Sequence, residues 1–303
     1  MLFNKNMFII FVIALFFSLF IWSKYGMQAN EYKNHTEISV LRVGLIPDEG
    51  DNKTYEQAKE ILDRFSLQTK IPYEFVPSES YKDILKKFIN EEVDFAFLGA
   101  VTYLKAHKSA NAIPLVIRDI DMEFTTSYLV AMDSSAKTIA DLKGKKLAFG
   151  SKLSTSGHVM PRFFLSEEGI VPEQFFSEII YSGAHDKTAF LVENGRVDVG
   201  TVNSDIVNNL FKYGKLDSKK VRVLDKTAAY PNNLWVIQPY ISKDIRTVLQ
   251  QTFTALIPNN EEDRELLDKT GTAFFLPADH MDFKQIAEAL DSLGLGVIRY
   301  EFQ

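Results

Sequence analysis

From Leu41 the chain runs strand, helix, strand, helix, strand, and from Lys146 it repeats that order. Leu41 to Pro47 is a short apolar run closed by proline, and Tyr55 to Ser66 places Ala58, Ile61, Leu62 and Phe65 at helical spacing. Pro72 to Val76, Tyr81 to Asn90 and Val93 to Gly99 complete the first set. The second set is Lys146 to Gly150, Gly157 to Glu168, Glu178 to Ser182, Lys187 to Asn194 and Val197 to Val202. Short apolar strands alternating with amphipathic helices bury a parallel sheet between helical layers. The closest local match sets VDFAFLG at Val93 against VDVGTVN at Val197, each directly after a helix. An α/β chain of two similar lobes follows, each expected to be a mostly parallel sheet flanked by helices.

Two extended stretches, Phe124 to Met132 and Asn233 to Gln238, read as hinge crossings between the lobes. Lobe one therefore takes residues 40–125 and lobe two 126–232. Residues 233–303 return to lobe one, with helices expected over Ser242 to Pro258, Glu261 to Thr270 and Asp282 to Leu293. Ahead of the lobes, 1–29 holds the apolar run Met7 to Trp22, broken only by Ser18 and preceded by Lys5. At sixteen residues it is shorter than the ~20 that usually span a bilayer. It reads as an export signal or a retained membrane anchor, and the polar linker 30–39 follows. Either outcome delivers the lobes across the membrane, to a periplasmic or extracytoplasmic location.

Ligands of open α/β sheets bind beyond the carboxyl ends of the strands. At one such end, between the strand closing at Gly150 and the next helix, stands Ser154-Thr155-Ser156-Gly157. The first backbone N–H groups of a helix have no internal partner and sit at the positive end of its dipole. With three hydroxyls added, they form a neutral cradle for a tetrahedral oxyanion. The same residues also read as an ordinary N-cap, and local sequence does not separate the two. Pro161 places the start of regular helix near Met160.

Other loops fall at the same ends of the strands: Leu98 to Tyr103, Tyr181 to Asp186 with His185, and Val202 to Asp205. Taken singly, Tyr103 is a half-buried helix residue, His185 a cap and Asp205 a helix N-terminal acid. A net charge of −6 argues against a nucleic-acid surface. The absence of cysteine removes disulfides, thiolate catalysis and cysteine-held metal. His35, His107, His158, His185 and His280 show no paired metal-ligand spacing, so neither metal nor cofactor is expected.

FGSKLSTSGHVMPRFFL, SGAHDKTAFLVENGRVDVGTVNSD, FAFLGAVTY and YPNNLW together resemble the phosphate, phosphite and phosphonate receptors of ABC importers, which have the type II periplasmic binding-protein fold. The resemblance runs from about Leu41 to about Pro277. It implies that Ser154, Thr155 and Ser156 hold the oxyanion and that Tyr103 and His185 contact it. Asp205 falls at a position that is acidic where an aminoalkyl phosphonate is bound. It further implies an ABC permease and ATPase as partners. The chain departs at Gly99-Ala100, where Gly-Pro is frequent, and at Leu98 and Asn233, where the pocket often carries an aromatic and an acid. An ammonium group wants a nearby negative charge, so these departures favour phosphate, phosphite or a small alkyl phosphonate. A retained Asp205 offers an acceptor for a protonated P–OH, which sulfate lacks at neutral pH.

Two alternatives stand beside this reading. Ser154, His185 and Asp205 supply the residue types of a hydrolase triad, but no glycine stands two before Ser154 as a nucleophile elbow requires. A membrane-anchored sensor that reports ligand to a partner kinase would need the same cleft.

Overall fold

The computed structural model describes residues 38–47 and 53–296. The apolar run 7–22, most of the linker and the loop after Pro47 lie outside the described residues. Among the described residues no helix is long and apolar enough to cross a membrane.

Among the described residues eleven strands form two sheets. The first contains β1 (Leu41–Leu45), β2 (Tyr73–Val76), β3 (Phe95–Leu98), β4 (Ile113–Arg118), β10 (Leu234–Ile237) and β11 (Phe275–Pro277), in the order β11-β4-β10-β3-β1-β2. The second contains β5 (Thr126–Ala131), β6 (Lys146–Phe149), β7 (Glu178–Tyr181), β8 (Val199–Asn203) and β9 (Val221–Lys226), in the order β7-β6-β8-β5-β9. In each sheet the strands of the repeated unit pair in parallel, β1 with β2 and β3, and β6 with β7 and β8. The remainder is antiparallel, so both sheets are mixed rather than mostly parallel. The cause is the connection: β10 runs back between β3 and β4, and β5 enters between β8 and β9, each against the direction of its neighbours.

The stretches read as hinges are therefore largely interior strands. The crossing itself is narrower. Phe124 and Tyr230 exchange backbone hydrogen bonds at 2.9 Å in both directions, which lays the outgoing and returning chains side by side. Tyr230 is fully buried there, its hydroxyl hydrogen-bonded with that of Thr126.

The C-terminal helices Lys243–Thr254, Glu261–Thr270 and Lys284–Ser292 bury Leu249, Phe253, Leu266 and Ile286, with Phe283 just ahead of the last, in the same core as β1, β3 and β10. Trp235 stacks on Phe95 with centroids 4.6 Å apart, and Phe253 closes on both rings. That core also takes in Leu153, Val159 and Met160 from beside the Ser-Thr-Ser run, so the second lobe is packed directly onto the first at this point.

Candidate functional site

The run Ser154 to Val159 begins not as an α-helix but as a π turn, Thr155–Val159, continuing into the α-helix Met160–Glu167. Its N–H groups reach back five residues, Val159 to the Ser154 carbonyl at 3.1 Å and Met160 to that of Thr155. Pro161 explains the register. It has no N–H to give the Gly157 carbonyl, its partner in a regular helix. That carbonyl instead accepts from the Gly150 N–H and the Thr201 hydroxyl, both at 2.8 Å, which pins the turn to the residue after β6 and to the middle of β8. The approach is close: a methyl group on Gly157 would lie 3.2 Å from Gly150 Cα and 3.0 Å from His185 Cε1 and Ser154 Oγ. Only glycine fits there.

Ser154, Thr155 and Ser156 are each at least nine-tenths buried, and they are gathered rather than scattered. Ser154 Oγ caps the turn by accepting from the Gly157 N–H at 2.9 Å. His185 stands at the start of its own helix, His185–Glu193, with Nε2 3.4 Å from Ser154 Oγ and 3.3 Å from Ser156 Oγ. On the far side of the ring the Asn203 N–H donates to Nδ1 at 3.2 Å. An acceptor at Nδ1 fixes the neutral tautomer with its proton on Nε2, so the imidazole presents a donor to the hydroxyls. Burial pushes the His185 pKa down to about 4, so the ring is neutral at ordinary pH.

The triad arrangement is answered by the same contacts. The Nδ1 position that a catalytic acid would occupy is taken by a backbone amide. Asp205, in the first turn of the helix Ser204–Lys212, is exposed, and its own N–H is capped by Asn203 Oδ1 at 2.7 Å.

Lobe one meets this group through the helix Ala100–Ala110, which follows Gly99. The Val101 N–H donates to Thr155 Oγ1 at 3.0 Å, and the Thr102 hydroxyl donates to the Leu153 carbonyl at 3.2 Å. Two helix N-termini, one from each lobe, thus face each other across Thr155. A methyl on Gly99 would stand 3.3 Å from Thr155 Oγ1 and 3.6 Å from both Asn232 Oδ1 and Asn233 Oδ1. Three side-chain oxygens therefore converge over that glycine.

Tyr103 is not brought to this group. It is fully buried one turn into the helix, its ring edge-on to Phe283 and its hydroxyl 2.7 Å from His280 Nδ1. Its ring packs into the first lobe, whereas the Val101 N–H and the Thr102 hydroxyl of the same helix reach lobe two. Leu98, at the end of β3, is buried and registered against Leu234.

Beside the hydroxyl group a cavity of about 700 Å³ opens between the lobes. Phe97, Arg118 and Trp235 line it from the first lobe, and Asn209 and Lys212 from the second. The three hydroxyl residues are not on its wall; Asp205 is, and Asn203 and Asn233 connect cavity and hydroxyl group, the one through His185 and the other over Gly99. Sequence reasoning singled out neither Asn203 nor Asn232. Asn232 lay within YPNNLW without a role, and the contact of Asn203 with His185 is made by its backbone N–H, which carries no residue signature.

Below the turn, buried His158 gives its Nδ1 proton to the Lys152 carbonyl at 3.0 Å and accepts from Arg162 Nε at 3.2 Å. Burial, the largest influence, pushes its pKa down to about 4 as well. A histidine held neutral in the fold but free to protonate near pH 6.5 when unfolded stabilises fully above that pH and loses the contribution as pH falls toward 4. Stability is therefore expected to drop by about 1–2 kcal/mol per ring between pH 6.5 and pH 5. Urea denaturation at the two pH values checks this, and replacing either His158 or His185 with glutamine should remove about half of the drop.

Two α/β lobes joined by paired crossings, with a cavity between them, are the architecture of the type II periplasmic solute receptors. A family model described as the periplasmic substrate-binding protein of phosphonate ABC transporters matches residues 43–283, and the chain belongs to that family. It is 27% identical over 261 residues to the probable ABC transporter phosphite binding protein PhnD1 of Prochlorococcus marinus, covering 82% of this chain and 88% of that one. With the phosphate-import protein PhnD of Mycolicibacterium smegmatis it shares 25% identity over 226 residues, 70% of each chain. The structure of the Prochlorococcus protein in complex with methylphosphonate superposes with a TM-score of 0.77 at 26% identity, over 85% of this chain and 99% of that one.

Proposed function

We propose that this chain is an extracytoplasmic receptor that closes its two lobes on a phosphorus oxyanion and passes it to an ABC permease and its ATPase. Ser154, Thr155, Ser156 and the Nε2 proton of His185 are its oxyanion contacts. Asp205 and Asn233 stand on the side where a substituent on phosphorus would extend into the adjoining cavity. Tyr103 supports the first lobe from within, and Leu98 forms wall. The reading gives the chain no reaction to catalyse. The N-terminal apolar run would carry the lobes across the membrane, either cleaved afterwards or kept as an anchor.

One observation carries the reading: a neutral imidazole donor has two serine hydroxyls within 3.4 Å of its Nε2, and between those serines Thr155 meets a helix N-terminus of the other lobe. Neutral donors suit an anion that must later be released, because hydrogen bonds and oriented dipoles hold it without a salt bridge. The phosphite, phosphate and methylphosphonate named for the relatives are of the same class.

Calorimetric titration with phosphate, phosphite, methylphosphonate, aminoethylphosphonate and sulfate tests it. At least one of the first three is expected to bind most tightly. Aminoethylphosphonate should be weaker because an amide, Asn233, stands where an acid would meet its ammonium. Tightest binding of sulfate, or none of any oxyanion, would reject the proposal.

A further inference from the structure

Asn232 is 3% exposed, and its Oδ1 has no hydrogen-bond partner among the described residues. Its backbone is fixed, with the N–H donating to the Asp121 carbonyl at 2.9 Å. Its carboxamide oxygen lies over Gly99, sharing with Asn233 Oδ1 and Thr155 Oγ1 the space between the helix N-terminus of lobe one and the hydroxyls of lobe two. A buried carbonyl oxygen without a donor is costly, and natural sites seldom leave one unless something is to fill it.

The polarity is what sets this atom apart. Backbone N–H groups and the Nε2 proton of His185 are donors, and the serine and threonine hydroxyls serve either way. A carboxamide oxygen only accepts. Placed among donors meant for an oxyanion, it demands that one ligand oxygen bring a proton of its own. A phosphonate monoanion has such a P–OH and its dianion does not; phosphate keeps at least one as mono- or dianion, and a sulfonate or sulfate has none at neutral pH.

We infer that Asn232 is a specificity-determining ligand contact whose Oδ1 accepts the P–OH hydrogen bond, so that the receptor selects the protonated phosphorus oxyanion over sulfur oxyanions of the same shape. This rests on the oxyanion reading above and gives the discriminating acceptor role to buried Asn232 rather than to exposed Asp205.

Methylphosphonate and methanesulfonate are matched probes, alike in shape and different in that proton. Wild-type protein is expected to prefer methylphosphonate. Its affinity should fall as pH rises from 7 to 9 and the ligand loses the proton, a range in which His185 stays neutral. Asn232→Leu should weaken methylphosphonate binding about ten- to a hundredfold, leave methanesulfonate no weaker, and flatten the pH dependence. Unchanged methylphosphonate affinity in Asn232→Leu would overturn the inference. So would wild-type affinity that is flat or rises with pH, the behaviour of an amide turned to present its nitrogen; this arm needs no variant to fold. If the wild type binds no phosphorus oxyanion at any pH, the oxyanion reading itself falls. If it binds them regardless of their proton, only the role of Asn232 does.

Discussion

Replacing Ser154, Thr155 and Ser156 together with alanine is expected to weaken binding of the preferred oxyanion by several kcal/mol, at about 1.5–3 kcal/mol for each charge-assisted hydrogen bond removed. The fold should survive. Ser154 caps the turn, and losing such a cap costs about 1 kcal/mol. The turn itself stays pinned through the Gly157 carbonyl, whose partners are the Gly150 amide and the Thr201 hydroxyl. Calorimetry on the variant, with circular dichroism to show that its secondary structure is native, makes the comparison. Binding as tight as wild type would remove these residues from the ligand site.

The second large effect lies at the crossing. Arg118 holds Asp121 with two hydrogen bonds, Nε to Oδ2 at 2.5 Å and a second guanidinium nitrogen to Oδ1 at 3.1 Å, and the Asp121 side chain is wholly inaccessible. Arg118→Ala strands that carboxylate, and removing one partner of a buried pair costs about 3–5 kcal/mol. The sign with pH follows. Burial pushes the Asp121 pKa up, and the guanidinium opposes that push. Without Arg118 the folded pKa rises further above the unfolded one, so stability is retained below the unfolded value and lost as pH climbs through the folded one. Urea denaturation of the variant should show a smaller deficit at pH 5 than at pH 7. A deficit under about 1 kcal/mol at pH 7 would mean that Asp121 does not depend on its partner. Because the Asp121 carbonyl carries the Asn232 N–H and its carboxylate takes that of Asn233, ligand affinity should fall along with stability.

The elements were legible where burial imposes a period. Phe95 to Leu98 is buried on both faces and reads as a continuous apolar run, while the equally buried Val199 to Asn203 was legible through its match to the stretch at Val93. The direction in which β5 and β10 enter their sheets was not readable, since strand composition does not distinguish parallel from antiparallel neighbours in a buried sheet. At the proposed site, three successive hydroxyls before glycine drew attention to this loop, and Pro161 to a late start of regular helix, which the π turn ahead of Met160 matches. The π register behind that delay depends on a carbonyl captured by two other strands, a long-range event. Tyr103 was misdirected for a related reason: spacing says which turn of a helix a side chain occupies, and the packing of Phe283 and His280 decides where it points. Asn232 escaped notice because an unpartnered oxygen has no signature until every neighbour is in place.

Thr155 Oγ1 takes the amide hydrogen of Val101, so the one hydroxyl spans the interlobe seam. A hydroxyl that has accepted on one side is polarised to donate more strongly on the other. An anion on Thr155 would then sense the opposite domain through a two-bond relay, and its grip would tighten only when that relay is made. Grip and shutting of the jaws would then be coupled through that atom, so that a change at Thr155 moves both, whereas the neighbouring bond from Thr102 to the Leu153 carbonyl bears on closure alone.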